Sequence, residues 1–259
     1  MAERATRSGS LPRAAALQPV QQVDAGVNLL NMANSGEVQL QAFLRSYPTR
    51  TYRKGEIIIF QGEAPRTAFI VKRGVVKTYN LSASGDEKPV AFYTSLESFP
   101  LSWVFGKLPS AIYYHEAFTE EVEVYLVPPH EFVEFIRSHP EAMYDELLKF
   151  VTDHVGKSMR LNALQHSRAG DKLVYTLHYL ALSHGKKVGP RVIEIGLQLT
   201  HQDFANLTGL TRETAATELN KLKRLGIISY GKHTPYRIKL DKLNAMLNDQ
   251  YIADLEIKL

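Results

Sequence analysis

The chain has 259 residues, 44% hydrophobic and 22% charged, with a formal net charge of +4, an ordinary water-soluble composition with enough length for two modest cores. It contains no cysteine, which rules out disulfides, iron–sulfur clusters, thiolate-ligated haem and cysteine-based zinc sites. No apolar run approaches the roughly 20 residues of a membrane-spanning helix, and the N-terminus lacks the apolar core of a secretory signal, so a cytoplasmic protein without a membrane partner is expected.

Residues 1–35 are polar and rich in small side chains, and are expected to form a mobile tail because they bury little surface. A short helical pattern follows, with apolar residues at Val38, Leu40, Phe43 and Leu44. From Thr49 to Pro128 the texture becomes β-rich. The runs Glu56–Phe60, Thr67–Lys72, Val75–Leu81, Val90–Tyr93, Ala111–Phe118 and Val122–Val127 alternate with turn signals at Gly55, Gly62, Gly74 and Gly85. Short strands so closely spaced predict an antiparallel sandwich or barrel. Residues 36–135 are thus read as the first folded unit.

From Pro129 to Gln165 the period switches to helical, and residues 136–167 are read as a dimerisation unit. Glu131–Ser138 reads as a short helix stopped at Pro140, and Glu141–Gln165 as a long one. Along the latter, Tyr144, Leu148, Val151, Val155, Ser158 and Asn162 follow alternating spacings of four and three. That is the seam a partner helix needs. An amphipathic helix packed on its own domain is the alternative. The partner is expected to be the same helix of a second copy, because the segments on either side already read as complete domains.

Residues 168–259 form the third unit. Counted from Arg168, fourteen Lys/Arg stand against nine Asp/Glu, whereas residues 36–167 are mildly acidic; a basic end suits a polyanionic partner. Ser167–Gly170 reads as a hinge, Asp171–His184 as an amphipathic helix ended by Gly185, and Arg191–Ile195 as a strand. The segment 200–225 then reads as a helix-turn-helix. Thr200 can cap the first helix with Asp203 three residues on. Ala205 is small enough for a second helix to pass, and Gly209 supplies the positive φ of a tight turn. Thr211 can cap the second helix, and Glu213 suits its positive end. Phe204, Leu207, Leu210, Ala215, Leu219 and Leu222 make one apolar side. The other side carries Arg212, Glu213, Thr214, Thr217, Asn220, Lys221 and Arg224, the polar face that a major groove requires. Residues 226–240 read as a β-hairpin with its tip near Gly231–Pro235, a wing beside the second helix. Double-stranded DNA is therefore the expected partner. Thr200, Gln202, Thr211, Thr214, Lys221, Lys232 and His233 are the candidate backbone contacts.

On these residues the sequence resembles the Crp/Fnr family of bacterial regulators. The stretch "LTHQDFANLTGLTRETAATELNKLKRLGII" carries the closest match, and "KGEIIIFQGEAPRTAFIVKRGVVKTY" has glycines at the family's turn spacing. The resemblance spans about Leu40 to Leu247. It implies an α+β chain: an N-terminal antiparallel β-roll of jelly-roll type acting as a sensor, a long dimerisation helix, and a C-terminal winged helix-turn-helix. It implies a homodimeric transcription regulator on an inverted-repeat site, with RNA polymerase as a further partner. It makes Arg212 and Glu213 base readers, which fits their chemistry toward guanine and cytosine. Thr217 stands where the family usually has arginine. A threonine reaches less far and offers one hydrogen bond or a methyl contact.

The sensor departs from the family's cyclic-nucleotide pattern. Ser98-Phe99-Pro100-Leu101 stands in the ribose-binding slot, and His115-Glu116-Ala117 in the phosphate-binding one, with the phosphate-pairing arginine gone. Glu116 is expected to repel an anion there. The reading is therefore against cyclic AMP, with a cyclic-nucleotide-responsive regulator kept as the alternative and the effector unidentified. No cofactor is expected, although histidine-ligated haem stays open at His115, His130, His139 or His154. The aromatic set Phe92, Trp103, Tyr113 and Tyr114, with His115, marks a candidate pocket for an uncharged ligand or else a plain core. No catalytic residues are expected. The rivals are a cupin-like metal enzyme, for which the His-x-His ligand pattern is lacking, and an architectural DNA-binding protein without an effector.

Overall fold

The computed structural model describes residues 35–231 and 234–247; the expected tail over 1–34 lies outside them. Helix α1 (Ser35–Leu44) leads into eight strands: β1 (Thr49–Arg53), β2 (Ile57–Ile59), β3 (Ala68–Arg73), β4 (Val76–Leu81), β5 (Glu87–Tyr93), β6 (Ser98–Phe99), β7 (Tyr114–Ala117) and β8 (Glu121–Val127). The one-turn helix α2 (Leu101–Val104) interrupts them. They form two antiparallel sheets, ordered β1-β8-β3-β6 and β2-β7-β4-β5. Side chains from both meet in a core that includes Phe69, Val71, Val76, Phe99, Val122 and Val124. This is the expected β-roll.

Two strands of this roll leave little trace in the sequence. Strand β1 reads TRTYR, and only Tyr52 of it is buried, so it lacks a hydrophobic alternation. Strand β6 is two residues long and exists through its pairing with Phe69 and Ile70 of β3. The run expected at Ala111–Phe118 shortens to four residues, because only those pair with β2 and β4.

The outer face of the first sheet is covered by α1 and α3 (Pro129–Ser138), where Leu40, Leu44, Phe132, Phe135 and Ile136 pack on Ile70 and Val127. Helix α4 (Pro140–Gln165) then runs 26 residues. It carries the expected seam: Tyr144, Leu148, Val151 and Val155 are 36%, 43%, 48% and 42% exposed. A stripe so open to water is left uncovered by the described residues of its own chain.

The chain breaks at residues 166–168, where the hinge was expected, and continues as α5 (Ala169–His184). Gly185 ends that helix and, unlike the sequence reading, also opens a strand, β9 (Gly185–Gly189), which pairs with β10 (Val192–Ile195). Helices α6 (His201–Thr208) and α7 (Arg212–Arg224) follow. Strands β11 (Ile228–Gly231) and β12 (Thr234–Lys239) then lead into the short α8 (Leu240–Asn244). The third sheet is ordered β11-β12-β10-β9, and α5, α6 and α7 share its core through Leu173, Leu177, Phe204, Leu219 and Ile238. That is a winged helix.

Two features tie this module to the roll. Val75 and Phe92 join the winged-helix core cluster, with Phe92 edge-on to His184 at 5.9 Å. Arg160, on α4, donates to the carbonyl of Val90 on β5 at 3.3 Å and to that of Leu207 on α6 at 3.4 Å. A guanidinium suits the last turn of a helix, where carbonyls have no partner of their own. Burial lowers its affinity for a proton from the usual arginine range, yet that range is so high that the cation persists.

Candidate nucleic-acid interface and sensor cavity

The helix-turn-helix is set by its caps. The Thr200 hydroxyl accepts from the Asp203 backbone NH, and the Asp203 carboxylate takes back the Thr200 NH at 2.7 Å, a complete capping box. Gly209 sits at φ +67° with nothing within 4 Å of where a Cβ would stand. The left-handed backbone, rather than crowding, is therefore what calls for glycine. Thr211 caps α7 by accepting the Thr214 NH, and the two hydroxyls lie 2.9 Å apart. Ala215, Leu219 and Leu222 are buried. Arg212, Glu213, Thr217, Asn220, Lys221 and Arg224 all face outward and are exposed.

The candidate contact residues divide by how free they are. Arg212 and Glu213 stand in the first turn of α7 with exposed side chains. Thr217 donates its hydroxyl to the Glu213 carbonyl at 2.9 Å. Among the backbone candidates, Thr200, Thr211 and Thr214 spend their hydroxyls on caps, Gln202 bonds Asn206 at 2.9 Å, and Lys221 lies 3.7 Å from Glu218. Lys232 and His233 lie outside the described residues.

A brace that the sequence does not disclose joins wing to recognition helix. The Tyr230 hydroxyl of β11 donates to the Asn220 side-chain oxygen at 3.0 Å and lies 3.3 Å from the His201 ring. Lys223 donates to the Tyr230 carbonyl at 2.9 Å and lies 4.5 Å over its ring. Burial first, then the positive charges of Arg212 and Lys223, lower the pKa of His201, so it braces Tyr230 as a neutral ring.

The second candidate site is a cavity of about 560 Å³ between the roll, α4 and α5. Phe92, Tyr113 and His115 line it, as the sequence suggested; Trp103 and Tyr114 do not. The reason is strand geometry. Neighbouring residues of a strand point to opposite faces, so with His115 inward Tyr114 turns out and stacks on Tyr79 at 5.4 Å. Trp103, on α2, packs toward the helical layer instead. The same alternation corrects the expectation for Glu116. It faces outward and pairs with the buried Lys77 at 3.1 Å, so it repels nothing inside the cavity.

His115 is 1% exposed and stacks on Phe99 at 5.2 Å. Burial pushes its pKa down to about 4, so the residue standing in the phosphate slot is neutral. Its polar wall includes Glu97, Lys149, Asp153 and Lys157, together with Ser183 and His184 of α5. Both lysines are already engaged: Lys149 with Glu146 at 3.0 Å and the Leu96 carbonyl at 3.2 Å, Lys157 with Asp153 at 2.6 Å. Among the described residues, three buried polar atoms of the lining have no hydrogen-bond partner: Thr78 Oγ1, His115 Nδ1 and Ser183 Oγ. Thr78 and His115 are direct partners across β4 and β7. His130, His139 and His154 lie away from this cavity lining, and among the described residues no three His, Asp or Glu side chains cluster as metal ligands would. No helix among them is long and apolar enough to cross a membrane.

The sequence matches the family model described as cyclic nucleotide-binding domain over residues 49–139, and the one described as Crp-like helix-turn-helix domain over 171–246. It is 28% identical over 183 residues to the global nitrogen regulator of Synechocystis sp., covering 70% of this chain and 80% of that protein. It is 22% identical to the fumarate and nitrate reduction regulatory protein of Vibrio cholerae, covering 68% and 69%. The fold is shared with FixK2 from Bradyrhizobium japonicum, with a TM-score of 0.60 at 19% identity over 81% of this chain and 97% of that one. It is also shared with a cyclic nucleotide-binding domain containing protein from Listeria monocytogenes, with a TM-score of 0.65 at 16% identity over 80% and 99%.

Proposed function

The chain belongs to the Crp/Fnr family of transcription regulators, and from that premise we propose a homodimer that reads an inverted-repeat DNA site and answers to a neutral effector. The exposed polar face of α7, bounded by its Thr211 cap and braced to the wing, carries this reading. Arg212 and Glu213 are the charged residues of the first turn of α7, and both side chains are exposed. They act as base readers, Arg212 on a guanine and Glu213 on a cytosine.

The exposed stripe of α4 supports a second copy as its cover, Tyr144, Leu148, Val151 and Val155 pairing across a two-fold axis. Two recognition helices about 34 Å apart then meet successive major grooves. The protein acts without catalysis in the cytoplasm, and RNA polymerase is its downstream partner. Both lysines of the cavity lining are already paired with carboxylates, and among the described residues three of its buried polar atoms have no partner. The effector that suits such a wall is uncharged, apolar over most of its surface, and able to hydrogen-bond. Ser183 belongs to the DNA-binding module, so a ligand bonded there and to Thr78 bridges sensor and reader directly.

Selection of bound duplexes from a random pool by the full chain tests the central claim. An enriched inverted repeat with half-sites one helical turn apart is expected. Enrichment of a single asymmetric half-site refutes the symmetric dimer, and no enrichment refutes sequence reading.

A further inference from the structure

Thr217 holds the centre of the exposed stripe of α7. Glu213, Thr217, Asn220 and Arg224 recur at spacings of four, three and four, which keeps them on one side of the helix. A threonine in such a place has two ways to address a base: its hydroxyl or its methyl. Here the hydroxyl's one proton goes to the Glu213 carbonyl at 2.9 Å, so toward a base Oγ1 is left only as an acceptor, while the methyl has no partner of its own. Drawing Oγ1 back onto the preceding turn leaves the Cγ2 methyl at another of the staggered positions on Cβ. We infer, resting on the major-groove reading above, that Thr217 selects a thymine in each half-site through methyl–methyl contact.

The neighbours leave that contact uncontested. Asn220 has its side-chain oxygen held toward the wing by the Tyr230 hydroxyl at 3.0 Å. Lys223 is committed to the wing. Lys221 lies beside Glu218. The hydrogen-bonding readers sit a turn earlier, at Arg212 and Glu213. Thymine is the one base whose major-groove edge offers a methyl group, so a methyl on the exposed face of α7 has a single natural complement. Burying one methyl group against another corresponds to about four-fold in affinity per half-site, and about fifteen-fold for a symmetric site bound by a dimer.

The test starts from the site selected by the full chain. Each thymine is replaced in turn by deoxyuridine, which deletes only the C5 methyl, and affinity is measured by titration. At one thymine per half-site the replacement is expected to weaken the wild-type protein about four-fold. Thr217→Ser, which keeps the hydroxyl and loses the methyl, should bind thymine and deoxyuridine sites alike. Thr217→Val, which keeps a methyl and loses the hydroxyl, should retain the thymine preference. Both changes are on an exposed position, and melting curves check that each variant is folded. Indifference of the wild type to every deoxyuridine overturns the inference, as does a methyl preference kept by Thr217→Ser or lost by Thr217→Val. Those outcomes leave DNA reading by α7 intact, whereas failure of the pool to yield any site overturns that reading itself.

Discussion

Acid should unfold this protein earlier than its carboxylates alone would dictate, and His115 supplies a measurable share of that sensitivity. The ring is buried against Phe99 and Tyr93 in the cavity wall, and its pKa falls from the ordinary 6.5 to about 4 through loss of hydration. In the unfolded chain the same ring takes up a proton near 6.5. Above that pH neither state is protonated, and the stability is full. As pH falls from 6.5 to about 4, the unfolded state binds a proton that the folded state refuses, so stability is lost across that window and the loss saturates below it. The slope is about 1.4 kcal/mol per pH unit, or about 2 kcal/mol by pH 5 and about 3 kcal/mol in full. His184 and His178 are depressed in the same direction by burial and steepen the wild-type dependence. His115→Phe keeps the stacking, has the cavity to expand into, and removes both the proton site and the unpaired Nδ1. Urea unfolding at intervals from pH 7 to pH 4.5 measures the slope for each protein. The variant should unfold with about one proton fewer taken up. Equal slopes would show that His115 titrates normally in the folded chain, and the neutral-wall argument for the cavity would fall with it.

Arg160→Met should loosen the winged helix from the sensor. It removes two charged hydrogen bonds to backbone carbonyls but also a buried cation's desolvation cost, so a net loss of about 1–3 kcal/mol is expected. Hydrogen exchange should quicken at residues 200–209 relative to α4, and unchanged protection there would refute the link. Arg212→Ala should weaken the selected site by about 1–3 kcal/mol and relax one base position while leaving random duplexes nearly unaffected; equal losses on both would remove Arg212 from base reading. Cyclic AMP and cyclic GMP at millimolar concentration should leave the melting temperature unchanged, since a ligand that binds the folded state well above its Kd raises it. A clear upward shift would show that a cyclic phosphate is held without a free cation.

The features legible in the sequence are those that depend on residues close together in the chain. The Thr200–Asp203 cap, the left-handed Gly209 and the Thr211 cap each involve partners within four positions, and so the helix-turn-helix could be read directly. The periodicity of α4 likewise exposed its seam, because a helix repeats on its own geometry. What pairing decides was hidden. Alternation along β7 says that Tyr114 and His115 face opposite ways, but only its register with β2 and β4 says which of them faces the cavity. The same register sends Glu116 to Lys77 and away from any ligand. Strands β1, β6 and β9 lack an apolar pattern because they are stabilised by partners found far along the chain. Arg160 left no signal at all, since the groups it binds are backbone carbonyls, which every residue carries. Thr217 shows the division within one side chain. Its type and place were plain in the sequence as a departure from arginine; the folded helix decided where its hydroxyl proton goes, to the Glu213 carbonyl one turn back.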